Sequence, residues 1–407
     1  MEKKTGSYGW VVTLCGMGIN MTLGSLYAYS IFKSSFEADF GLNAARAAFP
    51  YTMQCLVFAL SMIPAGRIQD RFGPRVTATA GGIIFGAGYI ISGLATSSEN
   101  AMTYLVPGFG LLIGIGVALS YSSTTPSALK WVPREKHGLI VGLVVGAVGL
   151  GAIYVAPLAD HMIEAIGVMK TLRILGAAFM ATIVICAQFL KNPPEGYVAG
   201  ENQAAQEPAA RDYAWNEVLK TRQFYLVWVI FMFGAGAGLM LISFAKSMAM
   251  GAIEGIGFML VAALAAGNSG GRIIAGAVSD KIGRPRAMFI VFLMQACILG
   301  ILSRFGAVPA VTIFSVVMIG FNYGACMSLV PSITADYFGL KNLGANYGLI
   351  YTAWGAGSIM ATIAGKIKVE TGSYTSALVL SAVLCVVAAG MTFLVKPPPA
   401  KISEQQS

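Results

Sequence analysis

Long apolar runs broken by short polar punctuation set the pattern of the chain. Twelve runs stand out, at 8–32, 44–66, 76–95, 103–127, 138–159, 170–190, 223–246, 255–279, 287–304, 309–333, 343–366 and 374–395. A helix needs roughly 20 mainly apolar residues to cross the hydrocarbon of a bilayer. The runs have that length, and none shows the alternation of a half-buried strand. The pattern therefore predicts an all-α membrane protein with twelve spanning helices. The first run, after Met1-Glu2-Lys3-Lys4, exceeds the ~7–15 apolar residues of a signal peptide and reads as a retained helix. The longest polar interval, 191–222, opens Lys191-Asn192-Pro193-Pro194 and falls mid-chain. It reads as a flexible cytoplasmic tether between two six-helix bundles, 1–190 and 223–407, the second ending in a short cytoplasmic tail.

Composition sharpens this picture. Of 407 residues, 56% are apolar and 11% charged, where a soluble domain carries roughly 25% charge. Such a chain could not cover a soluble surface. The 49 glycines suit helices that approach closely. Cys15, Cys55, Cys186, Cys297, Cys326 and Cys385 all lie in apolar runs without a C-x-x-C pair, so they read as small packing residues. With only His137 and His161, both near span ends, neither a metal site nor a cofactor is expected. Paired deep carboxylates and a Ser-His-Asp set are also missing from the runs, which argues against an enzyme.

The net charge of +9 would suggest nucleic acid in a soluble protein. Here its placement matters more. With both termini inside, most of the 27 basic residues fall on the cytoplasmic side, as the positive-inside rule requires. The charge therefore records topology, and no nucleic-acid partner is expected.

The two halves repeat. Gly66-Arg67-Ile68-Gln69-Asp70-Arg71-Phe72-Gly73 follows the second run, and Gly276-Ala277-Val278-Ser279-Asp280-Lys281-Ile282-Gly283 follows the eighth, 210 positions later. Pro126 and Pro331 are 205 apart, late in the fourth and tenth runs. Two matches at half the chain length argue for duplicated six-helix units. The G-x-x-x-D-[RK]-x-G element resembles the signature loop of the major facilitator superfamily. That resemblance implies a major facilitator fold of twelve helices in two pseudo-symmetric halves. It also gives Asp70, Arg71, Asp280 and Lys281 a gating role, with the aspartates at positive helix N-termini.

Further segments narrow the resemblance. Thr5-Gly6-Ser7-Tyr8-Gly9-Trp10 resembles the opening signature of monocarboxylate transporters, with Thr5 in its acidic position and Tyr8 for its Trp or Phe. Trp131-Val132-Pro133-Arg134-Glu135-Lys136 is loosely similar to their second signature. Asn346-Tyr347-Gly348-Leu349-Ile350-Tyr351-Thr352-Ala353-Trp354-Gly355 resembles the eleventh span of the related oxalate/formate antiporters. The whole chain resembles a bacterial monocarboxylate transporter homologue of the lactate-carrying kind. This implies a multi-pass, functionally monomeric protein of the bacterial inner membrane.

One basic residue is not explained by topology. Arg272 lies within the eighth run, eight positions before Asp280, or about 12 Å of helix at 1.5 Å per residue. No other Lys, Arg, Asp or Glu lies as deep. Arginine at a helix centre costs roughly 2.5–3.5 kcal/mol on insertion scales, and guanidinium can hold a carboxylate through two parallel bonds. The competing reading is an arginine reaching for the cytoplasmic interface. Within Gly271-Arg272-Ile273-Ile274-Ala275-Gly276, Arg272 matches the family arginine that binds the substrate carboxylate. Asn268, one turn earlier, stands where the animal members have a proton-coupling aspartate. Tyr29 is nearest to their lysine late in the first span, and Trp354 occupies the antiporter's second cation. One cation suits a monocarboxylate, as two suit a dianion.

Polar aromatic and amide residues complete the candidate cavity: Asn20 and Tyr27 on the first run, Tyr121 on the fourth, Asn322 and Tyr323 on the tenth. Tyr347, Tyr351 and Trp354 follow at i, i+4 and i+7 on the eleventh. Taken singly, each could equally be a packing residue. With Arg272 they lead to the expectation of a secondary transporter moving a small monocarboxylate, such as L-lactate or pyruvate, by alternating access; the family resemblance implies that a proton moves with it. The alternative is an anion exchanger of the oxalate/formate type.

Overall fold

The computed structural model describes residues 2–194, 197, 212–252 and 257–398. Most of the expected tether, 191–222, and the end of the tail lie outside the described residues. So do the side chains of Thr5, Gly6 and Ser7 in the opening signature. The described residues are helical throughout, without strands.

Helices form where the apolar runs predicted them, and several runs are broken. The first becomes α1 (Glu2–Leu23), a 3-10 stretch at Gly24–Ala28, and α2 (Tyr29–Phe40). α3 (Ala44–Phe72) and α4 (Pro74–Ser92) follow. The fourth run divides into α5 (Ser98–Leu105), a π-turn at Val106–Leu112, and α6 (Ile113–Leu129). Pro107 in that turn has no N–H to donate to the ladder, and wider turns accommodate such a gap. α7 (His137–Ile166) and α8 (Val168–Ala187) complete this stretch.

Beyond the mid-chain interval come the short α9 (Trp215–Val218), α10 (Arg222–Ala252) and α11 (Gly257–Ile282). α12 (Arg284–Phe305) and α13 (Pro309–Phe338) follow. The eleventh run breaks at Ser358 into α14 (Leu343–Gly357) and α15 (Ile359–Thr371), and α16 (Thr375–Thr392) ends the series. Among the described residues, nine helical stretches are long and apolar enough to cross a membrane. α4, α11 and α14–α15 occupy the other three expected positions.

The chain divides into two compact units. One is Met1–Trp131 with Leu143–Pro193; the other is Val132–Gly142 with Pro194–Ser407. The first turn of α7 thus belongs with the second unit. In the first unit α4 packs on α6 and α8. In the second, α11 packs on α13, and α12 on α16. Glycine permits the closest of these approaches. A Cβ on Gly271 would overlap the Phe321 carbonyl, and one on Gly324 the Asn268 carbonyl. The repeated loops also share a backbone shape: Gly73 and Gly283 close them at φ 85° and 88°, a conformation side chains disfavour.

Candidate functional site

In the second unit, α11 carries Arg272 and Asn268. Arg272 is 2% exposed and Asn268 4%. The Arg272 Nε donates to Asn268 Oδ1 at 2.9 Å. The two residues are one turn apart on one helix face, so the amide fixes the guanidinium through Nε and orients its fork. Asparagine suits this task because its carbonyl accepts without adding a charge.

α14 presents an aromatic row. Tyr347 and Tyr351 meet edge to face with centroids 5.5 Å apart, and Tyr351 and Trp354 lie 5.6 Å apart at 31°. The Trp354 indole N–H donates to the Tyr323 hydroxyl of α13 at 2.8 Å. Phe231 of α10 packs against Tyr351, and Gly238 of the same helix leaves room for the Tyr323 ring. The sequence-predicted residues Tyr323, Tyr347, Tyr351 and Trp354 are therefore joined in one buried assembly. Asn322 lies beside them in sequence, buried, and its amide finds no hydrogen-bond partner among the described residues.

The candidates of the first unit behave differently. Asn20 is fully buried, and its amide donates to the Val144 carbonyl at 2.7 Å and accepts from Thr124 at 3.4 Å. It ties α1 to α6 and α7. Tyr27 sits in the 3-10 stretch that follows α1, so the regular helix carrying Asn20 does not extend to it. Tyr27 is half-buried, while Tyr121 is buried edge-on against Phe58, with centroids 6.0 Å apart.

A charged network surrounds the second signature loop, within the second unit. Both Asp280 oxygens accept backbone N–H groups at the start of α7, from Gly138 at 2.8 Å and Leu139 at 2.9 Å. A carboxylate is favoured at a helix N-terminus because free N–H groups and the helix dipole converge there. Arg284 bridges Asp280 at 2.6 Å and Asp336 of α13 at 2.8 Å. Arg134 and the buried His137 approach Asp336 at 3.5 and 3.6 Å. A cleft of about 430 Å³ opens beside the network, with Lys396 at its edge. The sequence reading missed Arg284 and Asp336. Arg284 directly follows the loop motif, but its partner is 52 positions away, so no local spacing signals the pair. Of the other gating candidates, Lys281 and Arg71 are exposed, the latter over the Phe72 ring, and Asp70 is half-buried.

A helical membrane chain with a duplicated loop motif and a buried arginine is a secondary transporter, not an enzyme, and the comparisons agree. The model of the Major Facilitator Superfamily matches residues 10–275 and 244–407, and the chain belongs to that family. The Escherichia coli uncharacterized MFS-type transporter YhjX is 30% identical over 86% of both chains. The oxalate:formate antiporter of Oxalobacter formigenes is 26% identical over 96% of this chain and 92% of its own. Monocarboxylate transporter 12 of Xenopus laevis is also 26% identical, over 92% and 86%. The E. coli fucose:proton symporter shares the fold, with a TM-score of 0.74 at 13% identity over 95% of this chain and 98% of that one.

Proposed function

We propose that this multi-pass membrane protein carries a small monocarboxylate, such as L-lactate or pyruvate, together with a proton by alternating access. Arg272 is the observation that supports this reading most: a buried guanidinium, oriented by Asn268, on a helix of the second unit. Its N–H fork suits one carboxylate. In this reading the aromatic residues of α13 and α14 supply an apolar wall for a short alkyl group and hydroxyls for its polar end. The guanidinium of Arg272 balances the charge of one carboxylate. The names of two relatives, an oxalate:formate antiporter and a monocarboxylate transporter, support the substrate class.

In this reading the chain has twelve spans and lies in a bacterial inner membrane as a monomer, with both termini cytoplasmic and 191–222 as tether. Asp280 and Lys281, with Asp70 and Arg71 in the first loop, take gating roles. Tyr27 and Tyr121 are cavity candidates of the first unit. The antiporter relative favours a second reading, exchange of monoanions.

The direct test is uptake of labelled L-lactate into proteoliposomes by Arg272→Gln. Loss of a charge-assisted bidentate contact predicts a fall of about tenfold or more. Near-normal uptake would falsify the carboxylate assignment.

A further inference from the structure

The end of the expected tether is not loose. Asp212 and Tyr213 lie across the loop joining α13 to α14. Asp212 Oδ1 accepts the Lys341 N–H at 3.0 Å, and the Tyr213 N–H donates to the Phe338 carbonyl at 3.0 Å. The Tyr213 carbonyl accepts two side-chain amides, from Asn342 and Asn346, each at 3.0 Å. Those residues are one turn apart at the start of α14, so a single carbonyl grips one face of that helix. The Tyr213 ring packs edge-on against Phe338, with centroids 5.8 Å apart at 84°. The loop backbone accommodates the segment at Gly339, where φ is 82° and a Cβ would strike Asp212.

Its aromatic contact has a counterpart in the first unit. Tyr8-Gly9-Trp10 and Tyr213-Ala214-Trp215 are 205 positions apart, the offset that relates Pro126 to Pro331. Tyr8 packs against Trp131, just past the end of α6, with centroids 5.2 Å apart. Tyr213 packs against Phe338, the last residue of α13. The asparagine grip belongs to the second unit: the positions 205 earlier are His137 and Val141.

We infer that Asp212–Tyr213 is a strap that sets the position of α14, and that Asn346 is a positioning residue for Tyr347, Tyr351 and Trp354. Asn346 is fully buried, precedes Tyr347 directly, and spends its amide N–H on the strap. The strap thus meets the helix of the aromatic row through one carbonyl. The effect on transport rests on the carboxylate reading above; the mechanical link does not.

The test uses the full-length protein in proteoliposomes. Hydrogen–deuterium exchange across Leu343–Gly357 is compared in wild type, Asn346→Leu, Asp212→Ala and Asp212→Asn. Asp212 is exposed, so its variants fold. Exchange rises about threefold in Asn346→Leu and Asp212→Ala, the size of one lost interhelical hydrogen bond. Asp212→Asn stays at the wild-type rate, because its amide oxygen still accepts from Lys341. Unchanged α14 exchange in Asn346→Leu and Asp212→Ala overturns the strap. For L-lactate, KM rises about threefold in Asn346→Leu with the maximal rate retained; an unchanged KM beside faster exchange overturns the positioning role. Failure of the carboxylate reading shows separately, as intact uptake in Arg272→Gln.

Discussion

Arg272 was conspicuous in the sequence because charge is scarce in the apolar runs, and in the structure its side chain is buried. The four-residue spacing put Asn268 one turn from Arg272; the bond from Arg272 Nε to its carbonyl came with the structure. No spacing signalled the bond from Trp354 to Tyr323, because it joins helices 31 positions apart. Trp354→Phe keeps a ring and removes the N–H donor. Interhelical hydrogen bonds in membranes contribute about 0.6 kcal/mol on average and up to ~1.7. The variant should therefore lower the thermal midpoint of the purified protein by about 1–2 °C, measured by intrinsic fluorescence. Asn20 is the opposite case. Its place in a polar row suggested a ligand, yet its amide is taken up by Val144 and Thr124, partners no spacing rule selects.

Helix positions were readable from the apolar runs, since transfer from water to hydrocarbon is local and additive along a span. Breaks within them were less so. The 3-10 turn at Gly24–Ala28 lies where Gly24 touches the backbone of α7 at Val148 and Gly151. In the fifth run, Gly138 and Gly142 pack against α11 at Gly276 and Arg272. The contact between α11 and α13 gives a paired prediction. In Gly271→Ala the new methyl meets the Phe321 carbonyl, whereas in Gly270→Ala it meets nothing within 4 Å. Overpacking costs roughly 1–3 kcal/mol, and alanine itself favours a helix over glycine by about 1 kcal/mol. Thermal unfolding should show Gly271→Ala destabilised and Gly270→Ala neutral or more stable; equal midpoints would contradict the close approach.

Duplication gives the molecule two similar units with unequal details. Both signature loops end on a positive-φ glycine. In the second, Arg284 joins Asp280 to Asp336; the residues at the 210- and 205-position offsets in the first half are Pro74 and Trp131. The buried ion pair thus belongs to the second unit. Transport is a property of the whole chain, and its energetics can be read directly. Proteoliposomes without internal anion, given an inward proton gradient, should accumulate L-lactate if the proton is the coupled ion. Uptake that appears only after loading a monoanion inside assigns the exchanger reading instead.

The sequence alone carried the solvent, the helix positions, the duplication and the deep arginine. Each depends on residue type and spacing within one helix or one repeat, and those are local quantities. Tertiary structure decided which polar groups meet. It paired Arg284 with Asp336, bound Asn20 to Val144, and turned Asp212–Tyr213 from tether into strap. These contacts join residues 52, 124 and 129 or more positions apart. At such separations the partner is fixed by how helices pack, where burial leaves a polar group only the neighbours that packing supplies.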